Sequence, residues 1–98
     1  MRPWMIYGAY GYSGALIARQ AVAKGLQPVL AGRDGGRVAA LAGELGLDHR
    51  VFPAGDPDLA GIGLVLNCAG PFSATAQPVM QAALAAGAHY LEIGRAHV

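Results

Sequence analysis

The sequence holds one cysteine, Cys68, so it can build neither an internal disulfide nor a multi-cysteine metal site. Charge is scarce as well. Only 13% of residues are charged and the net charge is +1, which leaves no electrostatic footprint for nucleic acid or an anionic membrane. Apolar residues make up 54%, yet Gly, Pro and charged residues interrupt each run before it reaches the length of a membrane span. The opening Met1-Arg2-Pro3-Trp4 passes directly into a strand-like stretch without a secretory apolar segment, so the expected compartment is the cytosol. There is no internal repeat, low-complexity tract or linker, and 98 residues make one small domain at most.

What is present is an alternation of short apolar runs with helix-period segments. High apolar content with few charges suits a sheet covered on both faces. Trp4-Met5-Ile6-Tyr7 is predicted as a first strand ending at Gly8. A helix follows from Ser13 to Lys24, with Ile17, Ala18, Ala21 and Val22 on one face and Gly25 as its stop. Val29-Leu30-Ala31 forms a second strand. Val38, Leu41, Ala42 and Leu45 recur at amphipathic helix spacing, with Gly46 closing the helix and Asp34 placed to cap it. Arg50-Val51-Phe52 and Leu64-Val65-Leu66-Asn67 are third and fourth strands. Thr75 to Ala86 is helical, with Pro78 expected in its first turn, and Ala88-His89-Tyr90-Leu91 begins a fifth strand. Such alternation implies parallel strands joined by right-handed crossovers. The expected class is therefore α/β: a doubly wound parallel sheet of about five strands, incomplete at this length.

The strongest chemical signal is Gly8-Ala9-Tyr10-Gly11-Tyr12-Ser13-Gly14, a G-x-x-G-x-x-G between the first strand and the first helix. Gly8 allows a sharp exit from the strand, Gly11 lets backbone approach a pyrophosphate, and Gly14 permits close packing of helix on sheet. The amides around Tyr12 and Ser13 would then face the phosphates, aided by the helix dipole. Fifteen glycines make accidental spacings common, so the placement between strand and helix carries the argument. At the end of the second strand stands Ala31-Gly32-Arg33-Asp34. A guanidinium there can clamp a 2′-phosphate, with Arg37 one turn later to assist, so NADP is favoured over NAD. Asp34 could instead serve a ribose 2′-hydroxyl; capping is the simpler account.

Asp56 follows the third strand and is either an adenine contact or a turn residue before Pro57. After the fourth strand, Ala69 and Gly70 are small enough to approach a cofactor closely, and Phe72 is either a wall on the nicotinamide side or an apolar loop anchor. Tyr10 and Tyr12 are placed to flank the cofactor, whereas Tyr7 belongs to the core. Cys68 has no evident histidine partner and is read as a small apolar group, not a nucleophile. His49 and His89 lack metal-ligand spacing. No Tyr-x-x-x-Lys pair is present. The expected site is therefore Gly8, Tyr10, Gly11, Tyr12, Ser13, Gly14, Arg33, Asp56, Ala69 and Gly70, with no catalytic residue and no metal ligand.

These segments together resemble the N-terminal domain of the saccharopine dehydrogenase-like family, which includes saccharopine reductases and trans-acting enoyl reductase relatives. The resemblance is carried by the glycine loop, by Leu30-Ala31-Gly32-Arg33, by Leu66-Asn67-Cys68-Ala69-Gly70-Pro71-Phe72, and by Gly87-Ala88-His89-Tyr90-Leu91. It implies an NADP-dependent oxidoreductase in which this part positions the nicotinamide for hydride transfer. A small-molecule substrate would be bound mainly by a further domain, so this stretch alone is expected to be inactive. A non-catalytic NADP-sensing module, or a scaffold with an empty crevice, is the alternative on the same fold. Homo-oligomerisation is compatible with either. Residues 1–91 are expected to be the dinucleotide-binding unit. One back-translation of residues 92–98 matches, after its first base, a common short-read sequencing adapter, so that tail is expected to be non-native, and Arg95 and His97 carry no functional argument.

Overall fold

The computed structural model describes residues 2–93. Its strands are β1 (Trp4–Tyr7), β2 (Val29–Gly32), β3 (His49–Val51), β4 (Leu64–Asn67) and β5 (His89–Glu92). Its helices are α1 (Tyr12–Ala23), α2 (Gly35–Leu45) and α3 (Phe72–Ala86). The strands form one parallel sheet in the order β3-β2-β1-β4-β5. Chain order runs outward from β1 to one edge and then from β4 to the other. The two halves part between β1 and β4, which makes that point the topological switch of the sheet.

Alternation along the strands decides which layer each side chain joins. Met5, Tyr7, Val29, Ala31 and Val65 point to one face, where Val79 and Ala83 of α3 cover them with Phe52, Leu59 and Ile62. Ile6, Ala9 and Leu30 point to the other, under Ala18 of α1 and Leu41 and Ala42 of α2. β2 is buried along its whole length, whereas the edge strands β3 and β5 are largely exposed. This is the doubly wound architecture expected of near-continuous apolar central strands.

Asp34 caps α2 as expected, accepting from the Arg37 amide at 3.2 Å. Gly46 closes α2 in the left-handed conformation. One element differs. α3 begins at Phe72, behind Pro71, so Pro78 lies in the helix interior and not in the first turn. The sequence cue misled because proline favours a first turn. Pro78 instead leaves the Ala74 carbonyl without its helical donor, and apolar packing of Val79 and Ala83 holds the helix through it. β5 continues through Glu92, and the Ile93 amide donates to the Asn67 carbonyl at 3.1 Å. Residues 94–98 of the proposed tail lie outside the described residues.

Candidate functional site

β1 ends in a turn whose geometry glycine alone satisfies. Gly8 has φ of 80°, and a Cβ there would sit 2.7 Å from the Ala69 amide nitrogen. Thus the β1–α1 turn and the loop after β4 meet backbone to backbone. Gly14 is more constrained still: a Cβ would lie 2.3 Å from the Gly8 carbonyl oxygen. α1 therefore presses its first turn onto the strand exit. The Gly8 and Ala9 amides both donate to the Ala31 carbonyl, at 2.8 and 3.1 Å, and the Gly11 amide donates back to Gly8. Among the described residues, the amides of Tyr12, Ser13 and Gly14 meet no backbone acceptor, and no side chain caps α1. Those are the donors that a helix mouth offers to an anion.

Above this turn lies a cleft of about 350 Å³, within the range of small-molecule sites, roughly 300–1,000 Å³. It runs from Gly32, Arg33, Pro53 and Ala54 on the β2–β3 side to Cys68, Ala69, Gly70, Pro71, Ala74 and Thr75 on the β4 side, over Gly8, Tyr10 and Gly11. It stands at the carboxyl ends of the strands, across the switch point, where open α/β sheets take their ligands.

Six of the ten expected site residues line this cleft: Gly8, Tyr10, Gly11, Arg33, Ala69 and Gly70. Gly14 is buried beneath the turn and acts through packing. Ser13 is partly exposed at the helix mouth, and Tyr12 is 89% exposed, outside the lining. Asp56 also lies outside the lining; its amide donates to the Pro53 carbonyl at 3.0 Å, a turn contact. Phe72, the first residue of α3, does not line the cleft either.

The two arginines after β2 part company. Arg37 lies over the Tyr10 ring at 5.7 Å and 3.8 Å from the Asp34 carboxylate. Tyr10 in turn packs on Gly32, where a Cβ would be 2.6 Å from its ring. Arg33 is exposed, lines the cleft, and among the described residues has neither a hydrogen-bond nor an ion-pair partner. Asp34 is occupied by the cap and by Arg37, which favours capping over ribose binding.

Behind the β4 side is an arrangement that the sequence reading missed. Asn67 is fully buried. Its Nδ2 donates to Thr75 Oγ1 and to the Tyr90 hydroxyl, each at 3.1 Å, and its Oδ1 accepts from the Ala69 amide at 3.0 Å. Thr75 Oγ1 donates to the Ala69 carbonyl at 2.7 Å, and the Tyr90 hydroxyl to Glu92 Oε1 at 2.8 Å. Burial pushes the Tyr90 hydroxyl up to about 12, against the pull of Asn67, with Glu92 adding to the rise. The signal available was a lone polar residue ending an apolar strand. Its partners, eight and 23 positions away, follow no local spacing rule.

Tyr7 is core, as expected: its ring stacks on Phe52 at 4.9 Å and its hydroxyl donates to the Phe52 carbonyl. Burial raises its pKa, as does Tyr10, while Arg33 lowers it. Burial likewise pushes the Cys68 thiol up to about 11, the opposite of an activated nucleophile. No group of residues suited to a metal ion occurs among the described residues, and none of the described helices is long and apolar enough to cross a membrane.

Sheet order, glycine turn and switch-point cleft define a Rossmann-type α/β fold. Solved structures share it. A nucleoside-diphosphate-sugar epimerase from Pseudomonas aeruginosa is 28% identical with a TM-score of 0.78, over 95% of this chain and 33% of its own. Apo saccharopine dehydrogenase (L-Glu forming) from Saccharomyces cerevisiae is 16% identical with a TM-score of 0.81, over 99% of this chain and 22% of its own. Gre2 from Candida albicans, solved with NADPH, is 16% identical with a TM-score of 0.71, over 92% of this chain and 35% of its own. The chain thus spans about a third or less of each. No family model and no curated protein matches it.

Proposed function

We propose that this chain is the NADP-binding part of a saccharopine dehydrogenase-like oxidoreductase, positioning the nicotinamide for hydride transfer to a substrate held mainly by another domain. The observation that carries this reading is the pairing, among the described residues, of α1-mouth amides that meet no backbone acceptor with a guanidinium, Arg33, that has no partner, on the β2 side of one cleft. The amides and helix dipole suit the pyrophosphate. Arg33 suits a 2′-phosphate through charge-assisted bonds. Gly8 and Gly14 keep the cradle open where a Cβ would meet backbone. Two of the structural neighbours fit the reading by their names, one a dehydrogenase and one solved with NADPH.

The cofactor supplies the hydride-transfer chemistry; the chain supplies binding and orientation. The Tyr12 and Ser13 amides hold phosphate, Arg33 selects the phosphorylated ribose, and the small residues Ala69 and Gly70 give the rings a close wall. Arg33→Ala tests the assignment by calorimetric titration. NADPH affinity should fall roughly 10- to 100-fold, the worth of hydrogen bonds to a charged group, while NADH affinity stays within about twofold. Equal losses for both cofactors defeat the 2′-phosphate assignment.

A further inference from the structure

Ala69, in the β4 wall of the cleft, is held at both of its backbone polar atoms by side chains, one of which, Thr75, is itself in the lining. Asn67 Oδ1 takes the Ala69 amide proton and Thr75 Oγ1 donates to the Ala69 carbonyl. One residue comes from a strand and the other from a helix, and Asn67 Nδ2 joins them at 3.1 Å. Every polar group of this assembly has a partner, and among the described residues no buried side-chain nitrogen or oxygen lacks one. Two consequences follow. The wall turns no polar atom of Ala69 toward the cleft, so its ligand-facing surface is small and uncharged. Its position is also fixed against Gly8, whose missing side chain lets Ala69 approach within contact.

We propose that Asn67 and Thr75 are positioning residues that clamp the Ala69 peptide and so set the half of the cleft that receives the uncharged ring end of the dinucleotide. This rests on the nucleotide reading above. Sheet order supplies the selectivity. Ala69 follows β4 and Arg33 follows β2, on opposite sides of β1. Arg33 is placed by β2 and the Asp34 cap, with no bond to the network. Loosening the clamp therefore degrades one end of the site and spares the other. Tyr90 braces Asn67 from β5 but touches neither polar atom of Ala69.

The test compares two probes, NADPH and the adenosine-end fragment 2′,5′-ADP, on the unaltered chain and on Thr75→Val, which keeps shape and loses the hydroxyl. The clamp predicts roughly tenfold weaker NADPH binding, the worth of a neutral hydrogen bond, with 2′,5′-ADP unchanged within twofold. Thr75→Ser should restore NADPH affinity. Equal loss of both probes, or no loss of NADPH, overturns the clamp and leaves the nucleotide reading standing. Failure of the unaltered chain to bind either probe overturns both. Should Thr75→Val not fold, amide exchange in the unaltered chain decides. The Ala69 amide must be protected like the neighbouring Cys68 amide, which donates to the Tyr7 carbonyl; exchange at the rate of an open loop overturns the proposal.

Discussion

The two ends of the cleft are built on opposite principles. On the β2 side the polar groups stay unsatisfied and wet: Arg33 is exposed and unpaired among the described residues, and the α1 amides meet no backbone acceptor. On the β4 side the amide and carbonyl of Ala69 are consumed internally by Asn67 and Thr75, and Tyr90 takes the second Asn67 proton. An open donor stores affinity for a ligand. A satisfied buried network stores rigidity instead, because breaking one bond strands its partners in a low-dielectric site. On the proposed reading, recognition and alignment are divided between the two halves of one sheet. Substitutions can pull them apart.

The largest effect should come at the hinge between the halves. Gly14→Ala sets a methyl against the Gly8 carbonyl oxygen, a backbone atom that cannot move aside. The cost should be about 3 kcal/mol by urea denaturation, the upper end for overpacking, with cofactor binding lost as well. Gly43→Ala is the control. It lies in α2, and a Cβ there meets nothing within 4 Å, so the protein should gain about 0.5–1 kcal/mol from helix propensity. A tolerated Gly14→Ala would mean that α1 does not press on the turn, and the amide cradle would lose its basis.

Next in size is the charged end itself, where Arg33→Ala should separate NADPH from NADH as set out above. After it comes Asp34, whose carboxylate caps α2. Asp34→Ala should cost about 1 kcal/mol of stability, the usual worth of a cap, and Asp34→Asn should restore it. The same pair sharpens the cofactor assignment. If Asp34 held a ribose 2′-hydroxyl, Asp34→Asn would weaken NADH while leaving stability intact.

The charged, wet end was legible in the sequence and the buried end was not. Gly8, Gly11, Gly14 and Arg33 act through local backbone geometry and through position after a strand, both of which a linear pattern displays. The amphipathic face of α2 and its cap were readable for the same reason: Val38, Leu41 and Ala42 recur every three or four residues and all are buried. The clamp depends on residues brought together by a crossover, Asn67 from β4, Thr75 from α3 and Tyr90 from β5. Nothing in their spacing marks them. The start of α3 went astray through competing signals at Pro71 and Pro78, whereas Asp56, read as either an adenine contact or a turn residue, makes a turn contact through its amide.

The smallest expected effect concerns Cys68, which lines the cleft on its β4 side. Burial lifts its thiol from the ordinary 9.0 to about 11. At pH 8 the thiolate fraction should therefore be roughly a hundredfold lower in the folded chain, and iodoacetamide alkylation slower by a similar factor than in urea. A thiol whose pKa is higher folded than unfolded stabilises the fold at every pH below the unfolded value, and that contribution is lost as pH rises from about 9 to about 11. Cys68→Ala should leave stability near neutral pH little changed and flatten the decline across that window. Tyr90, raised from 10.0 to about 12, adds its own decline from about pH 10 to about 12 in both proteins, so the flattening should be clearest between about 9 and 10. NADPH should slow alkylation further, because a ligand filling the cleft covers the sulfur. If alkylation runs as fast in the folded chain as in urea, Cys68 is not packed as described, and the wall that begins at Ala69 is not held in place.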